Sequence, residues 1–387
     1  MTADRRTLLA LFSIAFGLRI LFAAIIGTQP GFNPNLVTSS ARYAQEISSG
    51  FDWVKEPVSP QAPGYPMLLS IAFLLSGGRP WAGIILQAIL GALTVIVVYR
   101  LGEKLGGKTC GAIAAIWLSL YANHILFANI LLRDILACLL LVLLIHLLAR
   151  PFSQMRYATF SSLVYAALVH VEPLYLLLFP AIAVFLLVKA TRHALLNLQY
   201  FFLFTGFLLI LSLPWTIRNY AVYRQPIPIS LEAVDYLRLA PGVQKEKREA
   251  LDTAAEGARR MSRIQQFRSN TVEFWRVTRF RAEELSEQAR ASGRTGEKAW
   301  SLRHNLINMV SYGLLLPLFA LGIIFAIREK NRVGLVIAAT TFIYCAIRVW
   351  SFGSERARLP VEPFIILLAF YAVFQIIDKV RKQPTET

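Results

Sequence analysis

Acidic residues, cysteines and charge of either sign are scarce in this chain. Of its 387 residues only 16% are charged, 23 are Asp or Glu, and three are cysteine. A soluble domain carries about 25% charged residues, so the composition argues against an ordinary soluble enzyme. The cysteines, Cys110, Cys138 and Cys345, all lie inside apolar stretches, and none has metal-ligand spacing. A disulfide framework and a thiolate metal site are therefore excluded, and the three are expected to be small buried hydrophobes. Histidine numbers only five, and no His, Asp or Glu spacing resembles a metal site. No metal and no cofactor is expected. Repeats, low-complexity tracts and long linkers are missing too, so 1–387 is expected to form a single membrane domain.

What is abundant is apolar sequence. Hydrophobic residues make up 56% of the chain, and the mean hydropathy is +0.52. They fall in long runs, at 8–26, 65–76, 82–101, 109–126, 131–149, 157–171, 173–189, 197–215, 305–327, 332–350 and 360–378. Runs of this length predict an all-α polytopic membrane protein. The acid deficit leaves a formal net charge of +17. In a soluble protein that excess suggests nucleic acid. Between apolar runs it points to positive-inside connectors and anionic lipid, so the expected partner is the bilayer and no nucleic acid.

The short connectors fix a topology. Arg5 and Arg6 precede the first run; Arg100, Lys104 and Lys108 separate two more; Arg150 and Arg156, Lys189 and Arg192, and Arg328, Lys330 and Arg332 follow, with Lys379, Arg381 and Lys382 near the end. All fall on the cytoplasmic side together only if 65–76 does not cross. That run holds about 12 residues against the ~20 a crossing needs, so it is expected to be an interfacial or re-entrant helix on the outer side. The result is about ten transmembrane helices with both termini cytoplasmic. Two larger segments then lie outside: the first loop, 27–81, and 216–304, within which 243–300 reads as helix from its alternating charge.

With that topology, polar residues gather at outer helix ends: Asn123 and His124, Arg133 and Asp134, His170 and Glu172, Arg218 and Asn219, and Arg348, Glu355, Arg356 and Arg358. Charges near hydrocarbon are costly and are usually functional or paired. Arg19, about seven residues from the outer end of the first helix, either snorkels to the interface or pairs inside the bundle. His124 is expected to cap or hydrogen-bond at a helix turn rather than to bind a metal. Arg133 and Asp134 can form a local ion pair at a helix start, where the helix dipole favours the carboxylate. Glu172 precedes Pro173, a helix-starting residue. Glu355, Arg356 and Arg358 form either a solvated loop or an anion site, and Arg suits phosphate because its fork donates two parallel hydrogen bonds.

Three segments in order carry a resemblance: Pro-Gly-Tyr-Pro at 63–66, Pro-Trp-Thr-Ile-Arg-Asn-Tyr at 214–220, and Glu-Arg-Ala-Arg-Leu-Pro-Val-Glu-Pro at 355–363. The set resembles the C-type superfamily of membrane glycosyltransferases, in particular the bacterial polyprenyl-phosphate-sugar transferases related to protein mannosyltransferases and aminoarabinose transferases. The resemblance implies a helical bundle with juxtamembrane helices in the first outer loop, in the bacterial inner membrane. It implies transfer of a sugar from a polyprenyl-phosphate carrier to an extracytoplasmic acceptor. A carboxylate would deprotonate the acceptor and fixed positive charge would hold the departing phosphate. On that reading Arg218, Arg356, Arg358 and Arg133 are expected to bind the lipid phosphate, and Tyr43, Tyr65 and His124 to contact substrate. Relatives usually carry an Asp four residues before the position of Tyr43; here Ser39 stands there, and serine is no general base at neutral pH. Gln61 and Ala62 replace a frequent basic residue, and Glu172-Pro173 replaces a frequent Arg-Pro. The base is therefore expected at Asp134, Glu172 or Asp52, in that order. The alternatives are an inactive relative that binds lipid-linked glycan as a partner subunit, or a glycan polymerase or transporter. A transporter would be expected to carry broken helices or paired repeats near the midplane, and neither is evident in the sequence.

Overall fold

A computed structural model describes residues 3–27, 38–50, 62–150, 155–189, 194–230, 263–275, 309–351 and 355–382. Among the described residues every regular element is helical. In chain order these are α1 (Ala3–Gly27), α2 (Ser39–Gly50), α3 (Gly64–Ser76), α4 (Pro80–Leu120), α5 (Ala122–Phe127), α6 (Asp134–Leu148), α7 (Met155–Val171), a 3₁₀ segment (Pro173–Leu178), α8 (Phe179–Lys189), α9 (Ala194–Tyr223) and α10 (Arg263–Trp275). After them come α11 (Leu315–Arg328), α12 (Arg332–Ser351), the single turn α13 (Glu355–Arg358) and α14 (Glu362–Lys382).

Among the described residues six helical stretches are long and apolar enough to cross a bilayer: Asp4–Ile25, Pro80–Leu120, Ala194–Tyr223, Val310–Arg328, Arg332–Trp350 and Arg356–Arg381. The protein is thus a multi-pass, all-α membrane protein. Length and composition give six such stretches where the sequence led to an expectation of about ten, and the reasons are local. The runs 82–101 and 109–126 merge into the 41-residue α4, which is bent at Gly106 and Gly107. Helix α6 has 15 residues, about 22 Å at 1.5 Å per residue, short of a ~30 Å hydrocarbon core. Helix α7 has 17 residues and carries Arg156, Thr159, Ser161, Ser162 and His170. The run 173–189 begins as a 3₁₀ segment.

The bend in α4 has a clear cause. Gly107 adopts φ +89°, ψ 172°, a conformation open only to glycine at no steric cost. The two halves of α4 then approach so closely that a Cβ on Gly102 would sit 2.6 Å from the Gly111 Cα. Lys104 and Lys108 flank the bend. A broken helix exposes backbone groups that hydrocarbon cannot satisfy, so the bend belongs at a bilayer surface.

Packing follows helical periodicity. Helix α9 buries Asn197, Tyr200, Phe204, Leu208, Ser212, Trp215 and Asn219, spaced three or four residues apart and so on one face. Phe202, Leu209, Ile210, Leu213 and Ile217 lie exposed on its other faces, as expected of a helix with lipid on one side. Helix α1 and helix α14 pack on α4, α11 on α14, α6 between α4 and α7, and α7 against α9. Gly322 of α11 meets the Leu368 backbone of α14 so closely that any side chain there would collide with it, the small-residue packing typical of membrane helices. Helices α2 and α3 pair with each other, and α3 rests on α4 and α7. The exposed Leu74 and Leu75 near the end of α3 suit an interfacial position. Of the expected 243–300 helix, only α10 falls among the described residues.

Candidate functional site

One end of the bundle collects chemistry, because several helices start or stop there. Asp134 is the first residue of α6 and Glu362 the first of α14. Both carboxylates sit where the helix dipole favours negative charge. Glu172 follows the last residue of α7, with an extended backbone (φ −145°, ψ 99°) imposed before Pro173. Arg348 lies in the last turn of α12 and Arg356 and Arg358 in α13. Arg133 immediately precedes α6.

Each carboxylate is held by arginine. Asp134 Oδ2 accepts from Arg356 through Nε at 2.9 Å and Nη2 at 2.8 Å. Glu172 Oε2 lies 2.8 Å from Arg133 Nε and 3.3 Å from Arg348 Nη2. Arg133 therefore bridges to α7 rather than pairing with its sequence neighbour Asp134. Arg348 Nε also donates to the Tyr344 hydroxyl at 2.9 Å, which donates onward to the Ala357 carbonyl at 2.8 Å. Glu362 Oε1 accepts from Arg358 Nε and from Asn123 Nδ2, both at 3.1 Å. Arg358 further donates to the Phe274 carbonyl at 2.8 Å and stacks 3.6 Å over the Tyr312 ring. Asp134, Glu172 and Glu362 are all buried; buried charges persist only when paired and hydrogen-bonded. Arg356 remains about a third exposed at its side chain, against 3% for Arg358. Arg356 is thus the arginine most open to a ligand, whereas Arg358 is locked between α10, α14 and Tyr312.

The Pro-Gly-Tyr-Pro segment is brought to this cluster by Gly64. A Cβ there would sit 2.8 Å from the His170 carbonyl, so glycine lets α3 press against the end of α7 beside Glu172. Tyr65 follows, fully buried, with a hydroxyl that has no hydrogen-bond partner among the described residues. Burial raises its pKa well above that of a free phenol, and the nearby Asp134 adds to the rise. Tyr65 is therefore a neutral hydroxyl close to Asp134.

Thr38 caps α2. Its hydroxyl accepts from the Ala41 N–H at 3.1 Å and donates to the Leu131 carbonyl at 2.7 Å, tying the first loop to the strap before α6. Ser39, the first residue of α2, is exposed. Tyr43, one turn on, is buried; burial pushes its pKa up to about 12, with Arg218 opposing the rise. Arg218 is itself buried, 3.1 Å from Asn219 Oδ1 and over the Trp215 ring. Asn219 binds the Ile227 and Ile229 carbonyls, folding the chain back over the end of α9.

Arg19 pairs inside the bundle rather than snorkelling. It is fully buried, with Nη1 donating to the Ala15 carbonyl at 2.7 Å and Nη2 2.8 Å from His124 Nδ1. Arginine has no acceptor, so Nδ1 accepts and a neutral His124 carries its proton on Nε2, 3.7 Å from Cys138 Sγ. Gly91 provides the room: a Cβ there would lie 2.5 Å from Arg19 Nε. His124 is thereby committed to a buried polar contact one helical turn beneath Asp134.

The structure brings together Asp134, Glu172, Arg133, Arg356 and Arg358, with Tyr65 beside them; Tyr43 and Arg218 form a neighbouring pair. Asp52 lies outside the described residues. Sequence reasoning missed Glu362. Its signals were available, being four residues after Arg358 and directly before Pro363 at the start of an apolar run. Among the described residues no group of three His, Cys, Asp or Glu side chains is placed to hold a metal.

Comparison with known proteins bears on this arrangement. The family described as dolichyl-phosphate-mannose-protein mannosyltransferase matches residues 59–217. No curated protein matches the chain. The archaeal oligosaccharyltransferase AglB from Archaeoglobus fulgidus, solved with an inhibitory peptide and a dolichol-phosphate, is 13% identical with a TM-score of 0.58, over 98% of this chain and 51% of that one. The Archaeoglobus fulgidus oligosaccharyltransferase tethered to an acceptor peptide is 16% identical with a TM-score of 0.60, over 97% and 50%. ArnT from Cupriavidus metallidurans, bound to undecaprenyl phosphate, is 13% identical over 98% and 80%, at a TM-score of 0.47. The chain spans about half the length of the oligosaccharyltransferase structures it matches. In sequence over 59–217, and in fold over nearly its whole length, this multi-pass protein resembles the C-type membrane glycosyltransferases.

Proposed function

We propose that the protein is a glycosyltransferase that moves a sugar from a polyprenyl-phosphate carrier to an acceptor on the outer face of the bacterial inner membrane. The observation that carries the reading is the buried arginine–carboxylate cluster at one end of a bundle with a C-type transferase fold. Asp134 is the base. Arg356 occupies only its Oδ2, which leaves Oδ1 for an acceptor hydroxyl. Glu172, more deeply buried and held by two arginines, orients Arg133 and Arg348. In the reaction the acceptor O–H gives its proton to Asp134 as its oxygen attacks the anomeric carbon. The bond from that carbon to the phosphate oxygen breaks, and the polyprenyl phosphate leaves as an anion stabilised by Arg356 with Arg133 and Arg218. Tyr65 and Tyr43 supply neutral hydroxyls for sugar contacts. The outer segments are 27–81 and 216–304, and about ten crossings result when the bent α4 counts twice and α6, α7 and α8 cross within the bundle.

The reading is tested by sugar transfer from synthetic polyprenyl-phosphate sugars in nanodiscs. Loss of a general base removes about 10²–10⁴-fold of rate, so Asp134→Asn should fall by that much and still bind the carrier. Full activity in Asp134→Asn would transfer the role to Glu172 or Asp52. The exposed Ser39 favours one second reading, an inactive relative that binds lipid-linked glycan. In that case the wild type is silent with every carrier, and Ser39→Asp gains activity if only that position was lost.

A further inference from the structure

The opposite end of the same helices holds a second concentration of positive charge. His146 lies twelve residues along α6 from Asp134, about 18 Å at 1.5 Å per residue. It is buried, and its Nε2 is 3.0 Å from Arg150 Nη2. Arg150 Nη1 donates to the Tyr157 hydroxyl at 2.9 Å, and its guanidinium lies 5.0 Å from the Tyr157 ring centre. Arg156 stands over the same ring, also at 5.0 Å. Lys104, beside the α4 bend, donates to the His146 carbonyl at 3.2 Å. Three cations from α4, the end of α6 and the start of α7 thus converge on one tyrosine and one histidine.

Every one of their contacts among the described residues is neutral. Arg100, one turn from Lys104, provides the contrast: it takes Asp4 at 2.6 Å and Glu103 at 3.0 Å, so the nearest acids are committed elsewhere. Two further donors are buried without a partner among the described residues, His146 Nδ1 and Arg150 Nε. Because arginine only donates, His146 Nε2 accepts and the neutral ring carries its proton on Nδ1. Buried donors left unsatisfied are rare and call for an explanation. Ordinary positive-inside residues would be solvated and mobile, whereas Arg150 is fixed by an imidazole, a hydroxyl and a ring.

We propose that Lys104, Arg150 and Arg156, with Tyr157 and His146, form a binding site for the phosphate of an anionic lipid headgroup. The site is distinct from the Asp134 cluster and stands whether or not the protein transfers sugar. Phosphate matches fixed arginine forks, and basic pockets between membrane helices on the cytoplasmic side take such headgroups. The neighbouring Met155 and Phe160 of α7 are exposed apolar side chains, a surface for the acyl chains that free phosphate would not use. The test is native mass spectrometry of the full chain with phosphatidylglycerol, with phosphatidylcholine, and with inorganic phosphate as competitor. Phosphatidylglycerol should be retained preferentially, with about tenfold or more affinity lost in Lys104→Gln and in the exposed-site variant Arg156→Gln. Arg100→Gln should retain it. Equal retention of phosphatidylcholine, unchanged binding in both Gln variants, or full displacement by inorganic phosphate would each overturn the assignment. Arg156→Gln removes no buried contact, so its result does not depend on tolerance of a core substitution.

Discussion

Replacing Arg358 with Met should destabilise the protein by about 3–5 kcal/mol, the cost of stranding one member of a buried ion pair. The pair is deeply enclosed: the Arg358 side chain is 3% exposed and that of Glu362 1%. Removing the guanidinium leaves the carboxylate, among the described residues, with neutral neighbours alone, Asn123 at 3.1 Å and the Tyr121 hydroxyl, and deletes the bond to Phe274 and the stacking on Tyr312. In equilibrium terms the loss is about 10²–10⁴-fold. Replacing both partners, Arg358→Met with Glu362→Leu, should recover much of it, because two matched apolar groups leave no charge unpaired. Arg356→Met should cost distinctly less, since that side chain is about a third exposed and partly screened. The assay is reversible unfolding in mixed micelles followed by tryptophan fluorescence. A single-variant cost below about 1 kcal/mol, or a double variant no more stable than the single, would refute the reasoning.

Three further outcomes follow from the same geometry. Gly91→Leu places a side chain where even a Cβ would lie 2.5 Å from Arg19 Nε, and should cost about 1–3 kcal/mol in the same unfolding assay by overpacking. Because the Tyr43 pKa is raised to about 12 in the fold, its contribution to stability is present below pH ~10 and is lost as pH rises towards 12; Tyr43→Phe should flatten that alkaline limb, and an unchanged limb would contradict the burial argument. A cysteine placed at Lys108, beside the α4 bend, should resist labelling by a membrane-impermeant maleimide added from outside, while strong labelling would invert the topology.

Legibility in the sequence varied by element, for physical reasons. Apolar runs announced the membrane class and nearly every helix, because a helix that contacts lipid must be apolar over many residues. Their lengths were less informative. Gly106 and Gly107 bend one continuous helix where two runs were visible, and α6 and α7 are short helices, α6 packed between α4 and α7 and α7 against α9 and the 3₁₀ segment. The polar end was legible as a list of residues at helix ends. Its pairings were not: Arg133 chooses Glu172, 39 positions away in sequence, and Asp134 chooses Arg356, 222 positions away. Arg19 and His124 were visible individually, but only the packing of α1 against α4, with Gly91 between, shows that they satisfy each other. Glu362 was hidden within a motif because four-residue spacing to Arg358 becomes a contact only once the 3₁₀ turn Leu359–Val361 joins α13 to α14.

The most direct test of the proposed transfer site is a cryo-electron microscopy structure of the full chain in nanodiscs with a polyprenyl-phosphate sugar bound. The expected result is the lipid phosphate within about 3 Å of the Arg356 guanidinium and the anomeric carbon facing Asp134 Oδ1. A phosphate bound at the Lys104–Arg150 end instead, with the Asp134–Arg356 pair closed and no carrier beside it, would contradict the account.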